Sequence, residues 1–324
     1  MSVSPHPPVR GRFAPTPSGR MHLGNVLCAL LAWLSVRAQQ GVMLLRIEDL
    51  DSARCPSSAA DMLEADLRWL GLDWDEGGCT GTDQNGETCL QSRRTKHYER
   101  ILHILEEKAH LYPCFCSRSE LHAAQAPHLS DGRILYPGTC RALTAEQIAE
   151  KRARHAPALR IAVPDETIRF TDLCRGPHAE NLLLECGDFI LRRSDGVFAY
   201  QLAVVADDWE MGVSEVVRGS DLLFSTARQI WLFQLLETAP PVYAHIPLLL
   251  APDGRRLSKR DADLDLSRLR LHFSSQELVG MLAQLCGLTE SGRPVSPQEL
   301  IPLFSWDKVK KEDIRLPSAF YQKV

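Results

Sequence analysis

The sequence predicts an α/β fold built around a parallel sheet. Residues 9–47 read as strand, glycine-containing turn, helix, strand, and two strands joined through a helix lie parallel. Further helices and apolar strand-like runs continue that alternation down the chain. A composition of 44% hydrophobic and 24% charged residues in a chain of 324 supports a sizeable core.

Val9 to Ala14 is expected as the first strand. Pro15-Thr16-Pro17-Ser18-Gly19 makes the turn, with proline and glycine setting the backbone. His22 to Gln40 is expected as a helix because Leu23, Val26, Leu27, Leu30, Leu31 and Leu34 share one face; Gly41 ends it. Val42 to Ile47 is an apolar run of the kind a buried strand shows, and helices are expected at Ser57 to Leu70 and Thr95 to Ala109. Residues 111–186 are rich in Cys, His, Pro and Arg, and read as an inserted subdomain. A hairpin is expected over Phe189 to Ala206, turning at Ser194-Asp195-Gly196. Strands are expected at Glu215 to Arg218 and Ile246 to Leu250, and a helix at Leu222 to Leu236. Residues 1–110 and 187–260 then form two halves of one domain, 111–186 the insertion, and 261–324 a mostly helical C-terminal region.

A net charge of −4 argues against a broadly basic nucleic-acid coat, so DNA is not an expected partner and RNA would need a local patch. No apolar run is long enough to span a bilayer, and residues 1–10 are proline-rich without an apolar signal core. The chain therefore reads as cytoplasmic, and its ten cysteines as thiols or metal ligands rather than disulfides.

Two segments carry nucleotide chemistry. In Pro15 to Asn25 a helix begins straight after a Pro/Gly turn, and a helix N-terminus offers free N–H groups to phosphate. Gly24 permits close approach of a flat group, His22 can donate to a phosphate oxygen, and Asn25 adds a neutral donor. The second segment, Arg255-Arg256-Leu257-Ser258-Lys259-Arg260, is a basic loop able to neutralise charge on a polyphosphate, chiefly through Lys259 with Ser258 orienting it. Taken singly, the first is an ordinary turn and the second an ordinary solvated loop. Together they resemble the two signatures of class I aminoacyl-tRNA synthetases, His22-Leu23-Gly24-Asn25 standing for one and Arg256 to Arg260 for the other.

Three further stretches resemble the glutamate branch of that family: Arg12 to Gly19, Leu45-Arg46-Ile47-Glu48-Asp49-Leu50-Asp51, and Tyr200 to Asp208. Glutamate carries two carboxylates and one ammonium, so a pocket for it needs an arginine and an acid. The resemblance implies that Glu48 holds the ammonium, that Arg12, Tyr200 and Arg218 share the carboxylates, and that Ala14 and Thr16 complete the pocket. It also implies that Thr16, Ser18, His22, Gly24, Asn25, Ser258 and Lys259 bind ATP with its Mg²⁺, with His22 and Lys259 catalytic. Without that resemblance, Arg218 reads as a surface ion pair, while Glu48 with Asp49 and Asp51 stays open between a pocket and a solvated strand end.

Cys114-Phe115-Cys116 and Cys140 bracket a segment with a thin core, which suggests either a structural zinc or free buried thiols. On chemistry alone the fourth ligand is open among His122, His128 and His178. The chain resembles the glutamyl-queuosine tRNA(Asp) synthetases most, a family whose zinc is held by Cys, Cys, Tyr and Cys. That implies Cys114, Cys116, Tyr136 and Cys140 as the ligand set. Residues 261–324 are too few for a large anticodon-reading domain, which points the same way. The family implies tRNA-independent activation of glutamate by ATP and transfer to the queuosine base of tRNA(Asp). Two other readings stay open: a truncated glutamyl-tRNA synthetase acting on a tRNA 3′ end, and a non-catalytic paralogue.

Overall fold

The computed structural model describes residues 7–51, 53–117, 120, 135–257 and 264–317. The chain opens with β1 (Arg10–Phe13), α1 (Leu23–Ala38), β2 (Val42–Leu45), α2 (Ser57–Leu70), β3 (Glu76–Gly77) and α3 (Thr95–Lys108). The insertion follows with β4 (Leu111–Cys114), α4 (Ala145–Arg152), β5 (Ala158–Ile161), β6 (Thr167–Asp172) and β7 (Gly176–Asn181), and β8 (Phe189–Arg192) comes just after it. The chain then returns through α5 (Tyr200–Glu210), β9 (Glu215–Gly219), α6 (Thr226–Leu235), β10 (Val242–Ile246) and β11 (Leu249–Leu250). It closes with α7 (Leu266–His272), α8 (Ser275–Cys286), α9 (Pro297–Leu300) and β12 (Ile314–Arg315).

The five-stranded sheet has the order β10-β9-β1-β2-β3, and every pairing in it is parallel. Helix α1 is apolar almost all round, as a helix buried on both sides must be. It sits directly on β1 because Gly11 has no side chain: a Cβ there would meet Val36 Cγ2 at 2.3 Å. One core layer packs α1, α2 and α8 on one face of the sheet through residues such as Leu30, Leu63 and Leu282. A second layer packs α3, α5 and α6 on the other face through Ile101, Val205 and Phe233. Helices on both faces of a parallel sheet are the arrangement the opening βαβ unit required. In the insertion β4 and β5 form an antiparallel sheet, order β4-β5-β8, with the strand just beyond it, beside the separate hairpin β6-β7 and a small core of Tyr112, Cys114, Phe115, Tyr136, Cys140 and Ala162.

Three expectations need correction. The turn after β8 forms, with Arg193 N–H donating to Val197 O at 2.8 Å, but the second arm is a single bridge, Arg192 to Phe198, before the chain turns into α5. Leu202 to Ala206 is buried on all sides, and a short apolar run of that kind does not separate a strand from a buried helix. Tyr200 therefore begins a helix rather than lying on a strand. The last sheet strand is Val242–Ile246, earlier than expected, while Leu249–Leu250 pairs instead with Ile314–Arg315. The helix expected from Leu222 becomes α-helical only at Thr226, after a 3-10 turn over Ser220–Ser225. Among the described residues no helix is long and apolar enough to cross a membrane.

Candidate active site

Strand β1 has β2 on one side and β9 on the other, so the chain reverses its direction of travel across the sheet at β1. Outside the carboxyl ends of β1 and β9 the loops diverge and leave a crevice, the usual ligand position in open α/β sheets. A cleft of about 800 Å³ lies there. Arg12 reaches it from β1, His22 and Asn25 from the start of α1, Glu48 from the end of β2, Tyr200 from α5 and Arg218 from β9. Ala14, Thr16, Ser18 and Gly24 line it as well. Ser258, Lys259 and Arg260 lie outside the described residues, but Arg256 and Leu257, which lead into them, line the cleft.

Beneath Glu48 lies a buried ionic network. Arg46 is fully buried; its Nη1 donates to Asp208 Oδ1 at 2.6 Å and its Nη2 to Glu48 Oε1 at 3.1 Å. Arg12 donates to the same Asp208 oxygen at 3.3 Å and to Val217 O at 3.1 Å. Arg94, Gln91 and Tyr98 all donate to Asp207, the neighbouring carboxylate. Burial acts to raise Asp208, yet Arg46 and Arg12 outweigh it and hold that carboxyl below its ordinary range. At Glu48 burial wins over the same two arginines, and its pKa is raised. Glu48 is thus a carboxylate whose charge is incompletely compensated, and an arriving ammonium would stabilise it.

Arg218 is held by a second network. Its Nε donates to His245 Nε2 at 2.9 Å, its Nη1 to Gln229 Oε1 at 2.7 Å and its Nη2 to Thr226 Oγ1 at 2.9 Å; the Tyr200 hydroxyl is 3.4 Å from Nη1. Since His245 Nε2 accepts, its proton sits on Nδ1, which donates to Asp172 Oδ2 at 2.6 Å. Asp172 comes from β6 of the insertion, so this relay ties that hairpin to the cleft. His245 is driven down from 6.5 to about 4, first by burial and then by Arg218, with Asp172 opposing. Between those values the unfolded histidine binds a proton and the folded one does not, so this group makes stability rise with pH from about 4 to 6.5. Replacing His245 with glutamine is expected to flatten the fall of Tm as pH drops through that window; an unchanged slope would refute the assignment.

On the nucleotide side, His22 is the N-cap of α1, and its side chain does not cap the helix by a hydrogen bond. At Gly24 a Cβ would meet the His22 ring at 3.2 Å, so the glycine also lets the imidazole fold against the helix start. The turn is braced by Arg20, which donates to the buried Asp66 at 2.6 Å, and Asp66 also accepts from Arg270 of α7 at 3.1 Å. A bridge between His22 and Asp265, and Leu266 N–H donating to Met21 O at 2.9 Å, bring the C-terminal helices against the same turn.

Away from the cleft, Cys114, Cys116 and Cys140 converge, their Sγ atoms all within 4.8 Å of one another. The Tyr136 hydroxyl lies 3.4 Å from Cys114 Sγ and 3.7 Å from Cys116 Sγ, and Cys116 Sγ is 3.6 Å from Cys140 Sγ. Sulfurs around a tetrahedral zinc stand about 3.8 Å apart, given Zn–S bonds near 2.3 Å, so the donor set fits that ion. The Arg160 guanidinium lies 3.8 Å over the Tyr136 ring. Burial raises Cys114, but Arg160 and the Tyr136 hydroxyl outweigh it and favour its thiolate, whereas burial pushes the Cys116 thiol up to about 12 and raises the Tyr136 phenol as well, so deprotonation of those two would have to come with the ion. His178 is not part of the cluster: it stacks on Phe170 in the β6-β7 hairpin. His122 and His128 lie outside the described residues.

Residues 8–292 match the model of the class I tRNA synthetases for glutamate and glutamine (E and Q), catalytic domain, and the chain belongs to that family. It is therefore an enzyme of the class I tRNA synthetase type, a ligase. It is 51% identical to a glutamyl-Q tRNA(Asp) synthetase of Symbiobacterium thermophilum, over 95% of this chain and 96% of that protein. A glutamyl-Q tRNA(Asp) synthetase of Nitratidesulfovibrio vulgaris is 46% identical over 92% of each chain. A glutamate tRNA ligase from Elizabethkingia meningosepticum, solved in complex with its amino acid, superposes with a TM-score of 0.81 at 27% identity, over 97% of this chain and 68% of that one.

Proposed function

We propose that the enzyme activates L-glutamate with ATP, without needing tRNA for that step, and transfers it to the queuosine base in the anticodon of tRNA(Asp). The observation that carries this reading is the cleft. A buried carboxylate with incompletely compensated charge, two buried arginines and a helix N-terminus converge on one space, in a chain 51% identical to a glutamyl-Q tRNA(Asp) synthetase. Glu48 takes the substrate ammonium. Arg12, Tyr200 and Arg218 take its carboxylates, beside Ala14 and Thr16. His22 and Lys259 meet the phosphates, with Thr16, Ser18, Gly24, Asn25 and Ser258 around the nucleotide, and Mg²⁺ screens phosphate charge when bound.

The α-carboxylate of glutamate attacks the α-phosphate of ATP, and pyrophosphate leaves with the bridging oxygen. A hydroxyl of the modified base then attacks the acyl carbon, its proton is lost, and AMP departs. No side chain acts as a nucleophile, so the chain contributes positioning and charge stabilisation. Residues 1–110 and 187–260 supply the two halves of the catalytic domain, and 261–324 form the mostly helical C-terminal region, whose described part, 264–317, packs against it. Within 111–186, Cys114, Cys116, Tyr136 and Cys140 hold a structural zinc.

Glutamate-dependent ATP–pyrophosphate exchange, with and without added tRNA, tests the proposal. Exchange without tRNA is the expected result. Exchange only with tRNA would favour an ordinary charging enzyme, and none in either condition would favour a non-catalytic paralogue. For the zinc, metal analysis is expected to find one ion per chain in the wild type and none in Cys140→Ser, with a lower Tm in the variant. A wild type as metal-free as the variant would leave the four groups as plain buried thiols and a phenol.

A further inference from the structure

The β6-β7 hairpin and the 3-10 turn after β9 enclose a second groove of about 480 Å³. It is continuous with the nucleotide cleft, since Asp221 and Arg256 line both. One wall is the Phe170–His178 pair, direct cross-strand partners whose rings stack at 5.4 Å and 25°. The facing wall contributes Phe224. Nε2 of His178 is a buried ring nitrogen with no hydrogen-bond partner among the described residues. Among the described residues that line it, the carboxylates of Glu185 and Asp221 outnumber one guanidinium, that of Arg256.

These features select an occupant. Aromatic walls suit the face of a nucleobase, and stacking of that kind is tolerant of ring type. An excess of carboxylates repels phosphate, so the groove does not suit a second nucleotide polyphosphate or the RNA backbone. It suits a flat ring that carries positive charge. Resting on the acceptor reading above, we propose that this groove receives the target base of the RNA, stacked against Phe170 and His178. Asp221 takes the base's cationic amine where the groove opens into the cleft. The queuosine base fits that description: a deazaguanine ring joined through a secondary amine, protonated at neutral pH, to a cyclopentenediol. With the ring in the groove and the ammonium at Asp221, the diol extends into the cleft where the activated glutamate is held.

The test measures two rates for each variant: pyrophosphate exchange, and transfer of glutamate to a queuosine-containing anticodon stem-loop. His178→Ala is expected to lower transfer kcat/KM about tenfold relative to exchange, the lower part of the range for one base–aromatic stack. His178→Phe, which keeps a ring, should recover most of that loss. Asp221→Asn should raise the KM for the stem-loop more than the KM for glutamate. An unchanged transfer-to-exchange ratio in His178→Ala, or a His178→Phe variant as weak as the alanine one, would overturn the stacking assignment; equal KM changes in Asp221→Asn would overturn the role of that carboxylate. A wild type that exchanges pyrophosphate but loads only the 3′ end of tRNA would overturn the acceptor reading, and the groove's assignment with it.

Discussion

Alanine at Arg46 is expected to destabilise the protein by about 3–5 kcal/mol, the usual cost of stripping one partner from a buried ion pair. Arg46 is fully buried and touches three carboxylates: Asp208 at 2.6 Å, Glu48 at 3.1 Å and Asp207 at 3.8 Å. Deleting the guanidinium leaves Asp208 with Arg12 alone and Glu48 with no ion-pair partner among the described residues. Such a network adds little net stability over an apolar core of equal volume, because desolvation offsets most of the attraction. Its justification is positional: it fixes the height and orientation of Glu48 at the end of β2. Urea unfolding should show the loss as a lower midpoint with an unchanged slope. Arg46→Lys keeps the charge but not the fork that reaches several carboxylates at once, so it should recover only part. A destabilisation below about 1 kcal/mol for Arg46→Ala would mean that water enters and solvates the acids, and that the network does not hold Glu48 in place.

Much of this architecture is legible in the sequence because it rests on local signals. The βαβ unit follows from the helical stripe of α1 between two strand-like runs, and the cleft from the turn between β1 and α1. The thiol cluster was visible in spacing, while the Tyr136 position came through resemblance. What stayed hidden depends on long-range packing. The apolar stretch from Leu202 to Ala206 has no period that distinguishes strand from buried helix. Asp172 and His245, which hold Arg218, are 73 residues apart and meet only when the hairpin packs on β10. One weak signal existed for them and for Arg46. A charged or imidazole side chain inside an apolar strand-like run, such as Arg46 between Leu45 and Ile47 or His245 between Ala244 and Ile246, must be buried with a partner. Sequence shows that the partner exists, and only the fold shows which residue it is.

Arg218→Ala is expected to raise the KM for glutamate by about 10²- to 10³-fold in the exchange assay, the loss expected when a buried, hydrogen-bonded charge is removed from a ligand carboxylate. The KM for ATP should move by far less, since the guanidinium is placed to meet the amino acid rather than the phosphates. Arg218→Lys should not rescue, because the arginine spans His245, Gln229 and Thr226 at once, and a single ammonium cannot reproduce that planar fork. The relay behind it predicts a graded series. Asp172→Asn no longer enforces Nδ1 protonation of His245, so the ring is free to present an N–H to Arg218 where it now presents a lone pair. Two donors then face each other, and the arginine swings from its position without leaving the site. Asp172→Asn should therefore raise the glutamate KM by a smaller factor than Arg218→Ala, with little change in kcat. Parallel rises in the KM for glutamate and for ATP would show that Arg218 shapes the whole cleft, and would remove it from the glutamate pocket. A rise confined to glutamate, ordered Arg218→Ala above Asp172→Asn, ties a residue of the inserted hairpin to the choice of amino acid.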